Sequence, residues 1–436
     1  MSIDSSTELT LNNKTSFLWV FVVISLLVIG VRYQTLPFAS LSTSGAQQRY
    51  GWGPINFPAS RAFSDGWARW NFEGYEGKTT WPEYRDVVKT MSTLGNDPQH
   101  GCGRALWENN GDLNKYGTTM ALMLLPYWTK GCISSMEGLY FEAAGTTPYH
   151  FISAAALSKQ SSNPVRELRY DNNDAAKGVA YMRMLGIRYF MGYTPEAITA
   201  AQAQTDLVEV ATSGPWHIFE IVDTKLVEAL DVQPVVVNKR DGDQRERWLE
   251  IGSSYFQHNS EWAALPVADG PTEWQRIDVA PDLSRRVGVA GEAGRQVDIV
   301  KPTQGTSIKK VNINPVEVTN VKLNNESISF RVNKIGIPVL VKVSYFPNWT
   351  VKGAESVYRA APNMMVVVPT EKDVVLSYEP SGIDRGAYVI TFIGIVWVAY
   401  MFRRRFRYGV GLPALSSVVG QDSSVSTSQE DPADNL

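Results

Sequence analysis

The stretch from residue 104 to residue 150 carries side chains that could act on a sugar. Aromatic ring faces stack on sugar rings, and suitably spaced carboxylates can bind hydroxyl groups or work as a general acid and base. The spacing fixes no catalytic pair, so the pattern also fits aromatic residues in a core beside carboxylates that accept local backbone donors. We treat these residues as a candidate glycan-binding site and assign no catalytic role. They are Trp107, Glu108, Asp112, Tyr116, Trp128, Glu137, Glu142 and His150.

Two cysteines, Cys102 and Cys132, rule out a disulfide-dense scaffold and a zinc site built from four thiolates. In an oxidising compartment they could form one disulfide that closes a loop of about thirty residues. Two free thiols are a second interpretation. A third is a metal site with Asp97 and His100, although this spacing fits no standard zinc pattern. We predict the disulfide, no metal and no cofactor.

The other histidines and a search for common catalytic motifs give little evidence for a catalytic site. His217 lies in an alternating, strand-like run, which predicts a packed core histidine, whereas His258 follows a glutamine in a polar loop with no visible partner. The sequence contains no G-x-S-x-G, Walker A, H-E-x-x-H or G-x-G-x-x-G pattern. Standard hydrolase, nucleotide-binding and zinc-protease chemistry therefore has no sequence support.

Composition limits the class of protein further. With 436 residues the chain is long enough for more than one folding unit, and its net charge of −3 gives no reason to expect a nucleic-acid partner. Charged residues make up only 19% of the chain, below the roughly 25% usual in soluble domains.

Two apolar segments explain part of this low charge. We predict membrane spans at 17–33 and 386–402, and the second is followed by four arginines, Arg403, Arg404, Arg405 and Arg407. A cleaved signal peptide is the alternative for the first segment, and a buried core helix is the alternative for the second. Basic residues after a span favour the cytoplasm, so both termini are expected there, with the large intervening region outside the cytoplasm of a plasma-membrane protein.

Patterning predicts an α+β, membrane-anchored chain in which an α/β module and an antiparallel β-sandwich lie between the two spans. The helical signals are WPEYRDVVKTMSTL (81–94), a capped helix ended by Gly186, and a polar-alanine helix over 195–204. The apolar run 118–128 is too short to cross a membrane and contains a proline, so we expect core or an interfacial segment. Six β-favouring runs follow between 297 and 380.

The resulting division of the chain has eight parts. They are a cytoplasmic tail (1–16), a span (17–33), a Trp/Tyr-rich mixed region (34–165), a small α/β module (166–237), a linker (238–296), the β-sandwich (297–385), a second span (386–402), and a basic, then disordered, cytoplasmic tail (403–436).

Several longer stretches, in the same order along the chain, resemble one family. They are WARWNFEGYEGK (67–78), GCGRALWENN (101–110), NKYGTTMALMLLPYWTKGCISSMEGLYFEAAGTTPYHF (114–151), LGIRYFM (185–191), SYFPNWTVKGAE (344–355) and NMMVVVP (363–369). Over roughly 50–402 the chain resembles the extracytoplasmic C-terminal half of actinobacterial C-type glycosyltransferase-like membrane proteins. These are often labelled 6-pyruvoyl-tetrahydropterin-synthase-related, a label that does not imply that activity.

The resemblance implies a place among polyprenyl-phosphate-dependent glycosyltransferases of the cell envelope. Their presumed catalytic carboxylates lie in a many-helix N-terminal half, and this sequence has one short apolar segment in its place. The chain would then be either one piece of a split protein or a shortened, non-catalytic relative. A looser parallel sets Trp107, Glu108 and Gly111 beside the W-W-D-Y-G motif of oligosaccharyltransferases, where only an aromatic residue and an acid match.

The functional expectation is therefore an integral membrane protein of the cell envelope that binds glycan or supports a partner transferase. Its expected partners are the lipid bilayer, a separately encoded polytopic half and a polyprenyl-linked glycan. Two alternatives stay open: a self-sufficient glycan-active enzyme that uses the carboxylates of 104–150, and a structural envelope protein without a ligand.

Overall fold

The computed structural model describes residues 79–136, 144–161, 163–165, 167–221, 223–285, 297–324 and 326–407, without the side chains of 405–407. The chain divides into two compact units, with the boundary between Ser377 and Tyr378. The described part is a mixed α+β structure with several sheets and one long apolar helix, as the sequence predicts at this coarse level. The predicted span 17–33 and both predicted tails lie outside it, apart from the first arginines of the C-terminal one.

The described α-helices are α1 (Trp81–Asn96), α2 (Leu125–Trp128), α3 (Thr147–Ala156), α4 (Ala175–Leu185), α5 (Pro195–Gln202), α6 (Gln244–Gln257) and α7 (Gly382–Arg407). Short 3₁₀ turns lie at Gly111–Tyr116, Ala121–Leu124, Asn259–Glu261 and Leu283–Arg285.

The described strands are β1 (Gly103–Trp107), β2 (Ile133–Ser135), β3 (Ile187–Gly192), β4 (Leu207–Ser213), β5 (Trp216–Ile221), β6 (Val227–Ala229), β7 (Val235–Val237), β8 (Pro266–Val267), β9 (Arg276–Ile277), β10 (Val279–Pro281), β11 (Val300–Pro302), β12 (Val318–Leu323), β13 (Ser327–Val332), β14 (Val339–Val341), β15 (Trp349–Lys352), β16 (Ala354–Ala360), β17 (Met364–Pro369) and β18 (Asp373–Tyr378).

The first sheet has the strand order β2-β1-β3-β5-β4. Strand β1 runs parallel to β2 and β3, while β5 pairs antiparallel with β3 and β4. This sheet differs from the predicted division at 165/166, because two of its strands come from the Trp/Tyr-rich region. Both strands are too short to show a clear alternating pattern in the sequence, and β3, which pairs with β1, lies about eighty residues after β1 along the chain.

Local signals position the helices around this sheet. In α1, Tyr84, Val87, Met91 and Leu94 are buried at the predicted helical spacing. At the end of α4, Gly186 has φ +65°, a left-handed conformation that glycine adopts at little cost, and the chain turns there directly into β3.

The apolar run 118–128 forms the 3₁₀ turn Ala121–Leu124 and the single-turn helix α2. Its residues Ala121, Leu122 and Leu125 are buried in the same cluster as the side chains of α1. The run is therefore core, one of the two outcomes that the sequence predicts.

A seven-stranded sheet, β6-β14-β17-β16-β8-β7-β9, and a four-stranded sheet, β12-β13-β18-β15, share one buried cluster. Phe330 and Leu376 of the smaller sheet meet Val339 and Met365 of the larger one there, as in a β-sandwich. The pairing is not purely antiparallel, since β7 is parallel to β8 and β9. One of the six predicted β-favouring runs is VNINPVEV (311–318), and only its last residue, Val318, belongs to a strand.

The predicted linker 238–296 differs most from the expectation. It contains the fourteen-residue helix α6, whose Trp248, Ile251 and Phe256 are buried in the largest hydrophobic cluster, and it supplies strands to the larger sheet. Its many polar and glycine residues suggested a linker, but the chain from 79 to 377 is one compact unit in the described ranges.

The second unit contains α7, which includes the predicted span 386–402. Its segment Gly382–Arg404 is long and apolar enough to cross a membrane, and none of this segment is buried within the protein. At 23 residues it extends about 35 Å, slightly more than the roughly 30 Å of a bilayer core.

Candidate functional site

The structure separates the sequence-predicted site residues. Trp107 and Tyr116 are buried in the cluster around α1, whereas Asp112 is exposed and Trp128 is half-buried. His150 is buried on α3, whose neighbouring side chains Tyr149 and Ile152 belong to a different core cluster. Glu137 and Glu142 lie outside the described residues. The predicted group is therefore not one site in the part of the chain that the structure describes.

Glu108 is fully buried and its carboxylate is occupied. Oε2 accepts hydrogen bonds from the backbone N–H groups of Tyr193, at 2.9 Å, and Thr194, at 2.7 Å. Oε1 accepts a third from the Thr194 hydroxyl, at 2.7 Å. Since Thr194 is the N-cap of α5, Glu108 fixes the start of that helix to the end of β1. Glu108 therefore fits the alternative in the sequence analysis in which a carboxylate accepts backbone donors within the protein.

Tyr116 belongs to a second internal network. Its hydroxyl donates to the Glu83 carboxylate and accepts a hydrogen bond from Nε1 of Trp216 at 3.0 Å. Lys115 pairs with the same carboxylate at 2.5 Å. Burial raises the pKa of Tyr116, so its hydroxyl stays protonated and serves as a donor. These groups hold α1 against the first sheet.

The two cysteines form the predicted disulfide, Cys102–Cys132. Since both sulfur atoms are in the disulfide, they cannot act as thiolate ligands in the alternative metal site. Nδ1 of His100 lies 2.6 Å from Oε2 of Glu220. Arg188 donates to the other oxygen of Glu220 at 2.7 Å. This His–Glu–Arg group joins the loop before β1 to β3 and β5.

Two histidine predictions need correction. His217 is not packed in the core: its side chain is 31% exposed and lies 2.7 Å from Glu209. The reason is that Glu209 belongs to β4, an edge strand that leaves its end of the sheet open to water. His258 has a neighbour after all, Glu261 at 3.8 Å, and burial lowers the pKa of the histidine.

A cavity of about 940 Å³ is lined by several aromatic side chains of the described residues. It lies in the first unit between α3, α6, strand β16 and the loop 344–347. Its volume falls in the range of roughly 300–1,000 Å³ that is typical of small-molecule sites. The aromatic lining residues are Tyr149, Phe151, Trp248, Tyr345 and Phe346. We call this the aromatic cavity.

Strand β16 brings Arg359 into the aromatic cavity. The Arg359 guanidinium carbon lies 4.7 Å from the ring centre of Trp248 and 5.8 Å from that of Tyr345. Its Nε donates to Oδ1 of Asn363 at 2.7 Å, and the Asn363 amide donates in turn to Oγ of Ser344 at 3.1 Å. Burial lowers the pKa of Arg359 to about 10, which leaves it charged at neutral pH.

Contacts with neighbouring elements fix the lining residues Trp248 and Tyr149 in place. Trp248 Nε1 donates to the carbonyl of Pro362 at 2.9 Å, which fixes α6 to the turn between β16 and β17. Tyr149 can approach α6 closely because residue 252 of this helix is glycine. A Cβ at that position would lie 2.1 Å from the Tyr149 oxygen. Burial also raises the pKa of Tyr149, so this hydroxyl stays neutral.

A second cavity of about 310 Å³ lies beside β14. Its most buried charge, Lys342, pairs with Glu228 at 2.9 Å and donates to the carbonyl of Arg183 at 2.9 Å. Because this lysine is satisfied within the protein, the smaller cavity is a weaker candidate than the aromatic cavity.

Sequence reasoning did not find the aromatic cavity. Trp248 and Arg245 fall in the predicted linker, and Arg359 lies in a strand with no motif of its own. The run SYFPNW (344–349), with adjacent aromatic residues and a proline in a loop, was the one local signal. It gave a family resemblance but no site.

Comparison of the chain with protein-family models, curated proteins and solved structures finds no match.

Proposed function

We propose that this chain is an integral membrane protein whose large region outside the cytoplasm binds glycan in the aromatic cavity. The observation that carries this proposal is the cavity itself, with Tyr345 and Phe346 in one loop opposite Trp248 on α6. Phe346 is 40% exposed, although a large apolar side chain normally gains by burial. Such a ring offers a face on which a sugar can stack, and Asn363 adds polar contacts in the same cavity.

Two further observations support a location outside the cytoplasm. A disulfide persists in oxidising compartments and is rare in the cytosol, and Cys102–Cys132 closes the first sheet. Helix α7 ends in basic residues, the usual sign of a cytoplasmic end. On this proposal 17–33 also spans the membrane, and both termini are cytoplasmic.

The resemblance to C-type glycosyltransferase-like membrane proteins supports an envelope role. The chain would act as a non-catalytic half that presents a glycan, or holds one, for a separately encoded polytopic transferase. A self-sufficient enzyme using the 104–150 carboxylates has less support, because both oxygens of Glu108 already accept hydrogen bonds within the protein and Asp112 lies on the surface.

The test is binding of the full-length, detergent-purified protein to an array of neutral and acidic oligosaccharides. For the glycans that the wild-type protein retains, Phe346→Ala should weaken the binding affinity about tenfold, which corresponds to about 1.4 kcal/mol of binding free energy. Tyr127→Ala is the matched control, because Tyr127 is 43% exposed but does not line the aromatic cavity.

Retention of no glycan by the wild-type protein would overturn the proposal. Equal binding by wild type and Phe346→Ala would move the site away from the aromatic cavity and count against it in the same way.

A further inference from the structure

The aromatic cavity contains a cation without an internal counterion. Three residues with formal charges line it: Arg245 and Arg359, both positive, and Glu167, negative and exposed. In the described part of the chain, no carboxylate forms an ion pair with either arginine. Other half-buried arginines use their terminal nitrogens within the protein: Arg240 and Arg247 pair with Glu250 at 2.7 and 2.5 Å, and Arg104 donates to the carbonyls of Leu185 and Lys342.

Arg359 is also held in a fixed orientation. Trp248 and Tyr345 lie against the guanidinium, and Asn363 engages Nε. Within the described residues Nε is the only atom of this side chain that donates a hydrogen bond, so the N–H groups of Nη1 and Nη2 can donate to a ligand. An arginine presents its donors as a planar fork that matches the two oxygens of a carboxylate or phosphate.

Retaining such a group is costly unless a ligand uses it. A half-buried positive charge loses hydration, and the usual compensation is a carboxylate partner within the protein. Stacking on Trp248 offsets part of this cost but satisfies no N–H donor. A bound anion would satisfy both remaining nitrogens at once.

We propose that the aromatic cavity selects acidic glycans, with Arg359 receiving a carboxylate or phosphate of the ligand through Nη1 and Nη2 while aromatic rings contact the sugar. This inference rests on the proposed glycan-binding function and specifies its ligand class. Arg245, at the exposed end of α6 in the same lining, adds positive potential, and Glu167 only partly offsets it. Neutral sugars would gain the stacking contacts but not the charged hydrogen bonds.

The experiment uses the full-length, detergent-purified protein on an array that carries uronic-acid, phosphorylated and neutral oligosaccharides. We expect the wild-type protein to bind one of the two acidic sets of oligosaccharides, the acidic arms, with an affinity at least about tenfold higher than that for the neutral set, the neutral arm. The uronic-acid and phosphorylated arms show which anion the cavity accepts. Arg359→Gln should reduce acidic binding to the neutral level, and Arg359→Lys should keep the preference with weaker affinity.

Arg331→Gln is the control, since Arg331 pairs with Asp373 at 2.9 Å on the exposed face of the smaller sheet. If Arg359→Gln does not fold, the salt dependence of wild-type binding decides the matter, because sodium chloride should weaken the acidic arm and leave the neutral arm nearly unchanged.

The outcomes separate the two proposals. Equal retention of neutral and acidic glycans by wild type, or an unchanged acid preference in folded Arg359→Gln, overturns this inference and leaves glycan binding standing. Retention of no glycan overturns both.

Discussion

At the scale of single residues, the polar groups of this protein fall into two sets. Glu108, Glu220 and Lys342 are buried and have partners within the chain, so their role is to join elements. Arg359 differs, because two of its nitrogens have no partner in the described residues and the side chain lines a cavity. This contrast, rather than residue type, separates a structural group from one that we propose to bind a ligand.

The structural role of Glu108 can be tested by Glu108→Gln. The substituted amide would set its own N–H donors against those of Tyr193 and Thr194, so a buried donor would lose its acceptor. We expect the free energy of unfolding to fall by about 2 kcal/mol. Denaturant titration measures this change, while glycan binding by the folded variant should not change.

Asp112→Asn is the matched control for that variant, because Asp112 is exposed on the 3₁₀ turn that follows β1. It should change stability by no more than about 0.5 kcal/mol. A loss of glycan binding in folded Glu108→Gln with unchanged stability would instead favour a direct role in the ligand site.

At the scale of elements, the disulfide is placed where a short parallel pair begins. Cys102 precedes β1 and Cys132 precedes β2, and the Gly103 N–H donates to the Cys132 carbonyl at 3.1 Å. The three residues of β2 offer few ladder hydrogen bonds of their own. The bond therefore holds together an edge that pairing alone would hold weakly.

We expect the double variant Cys102→Ser, Cys132→Ser to lose about 3 kcal/mol of unfolding free energy, since the closed loop spans 30 residues. Denaturant titration of wild type with and without reductant gives the same quantity independently. If neither treatment changes the midpoint, the bond has no stabilising role at this edge.

At the scale of the whole molecule, the chain combines one large α+β unit with a second unit that contains an exposed apolar helix. Large hydrophobic side chains on α7 that are more than half exposed, such as Ile390, Phe392 and Trp397, would be unfavourable in water. Lipid is the environment that would compensate for this exposure, and this is the basis of the proposed anchor.

Deletion variants test the proposed two-span arrangement. Removal of 382–436 alone, or of 1–33 alone, should leave the protein in the membrane fraction after alkaline carbonate extraction, because one span remains. Removal of both should release it. Release after loss of 382–436 alone would show that 17–33 does not anchor the chain.

Some features could be predicted from the sequence because they depend on local order along the chain. The periodicity of α1, the capping of α4 at Gly186 and the uncharged run inside α7 are each set by residues within about one element of each other. The disulfide was also predictable, because the chain has only two cysteines and an expected location outside the cytoplasm.

Other features were decided only by tertiary structure. Whether Glu108 was catalytic or structural depended on donors at 193 and 194, and the linker assigned to 238–296 proved to contain a core helix. The aromatic cavity joins Tyr149, Trp248 and Arg359, each about a hundred residues from the next, so no window of sequence contains it. Local patterns in the sequence thus determined several of the elements and the apolar helix α7, whereas packing between distant segments determined which side chains share a site.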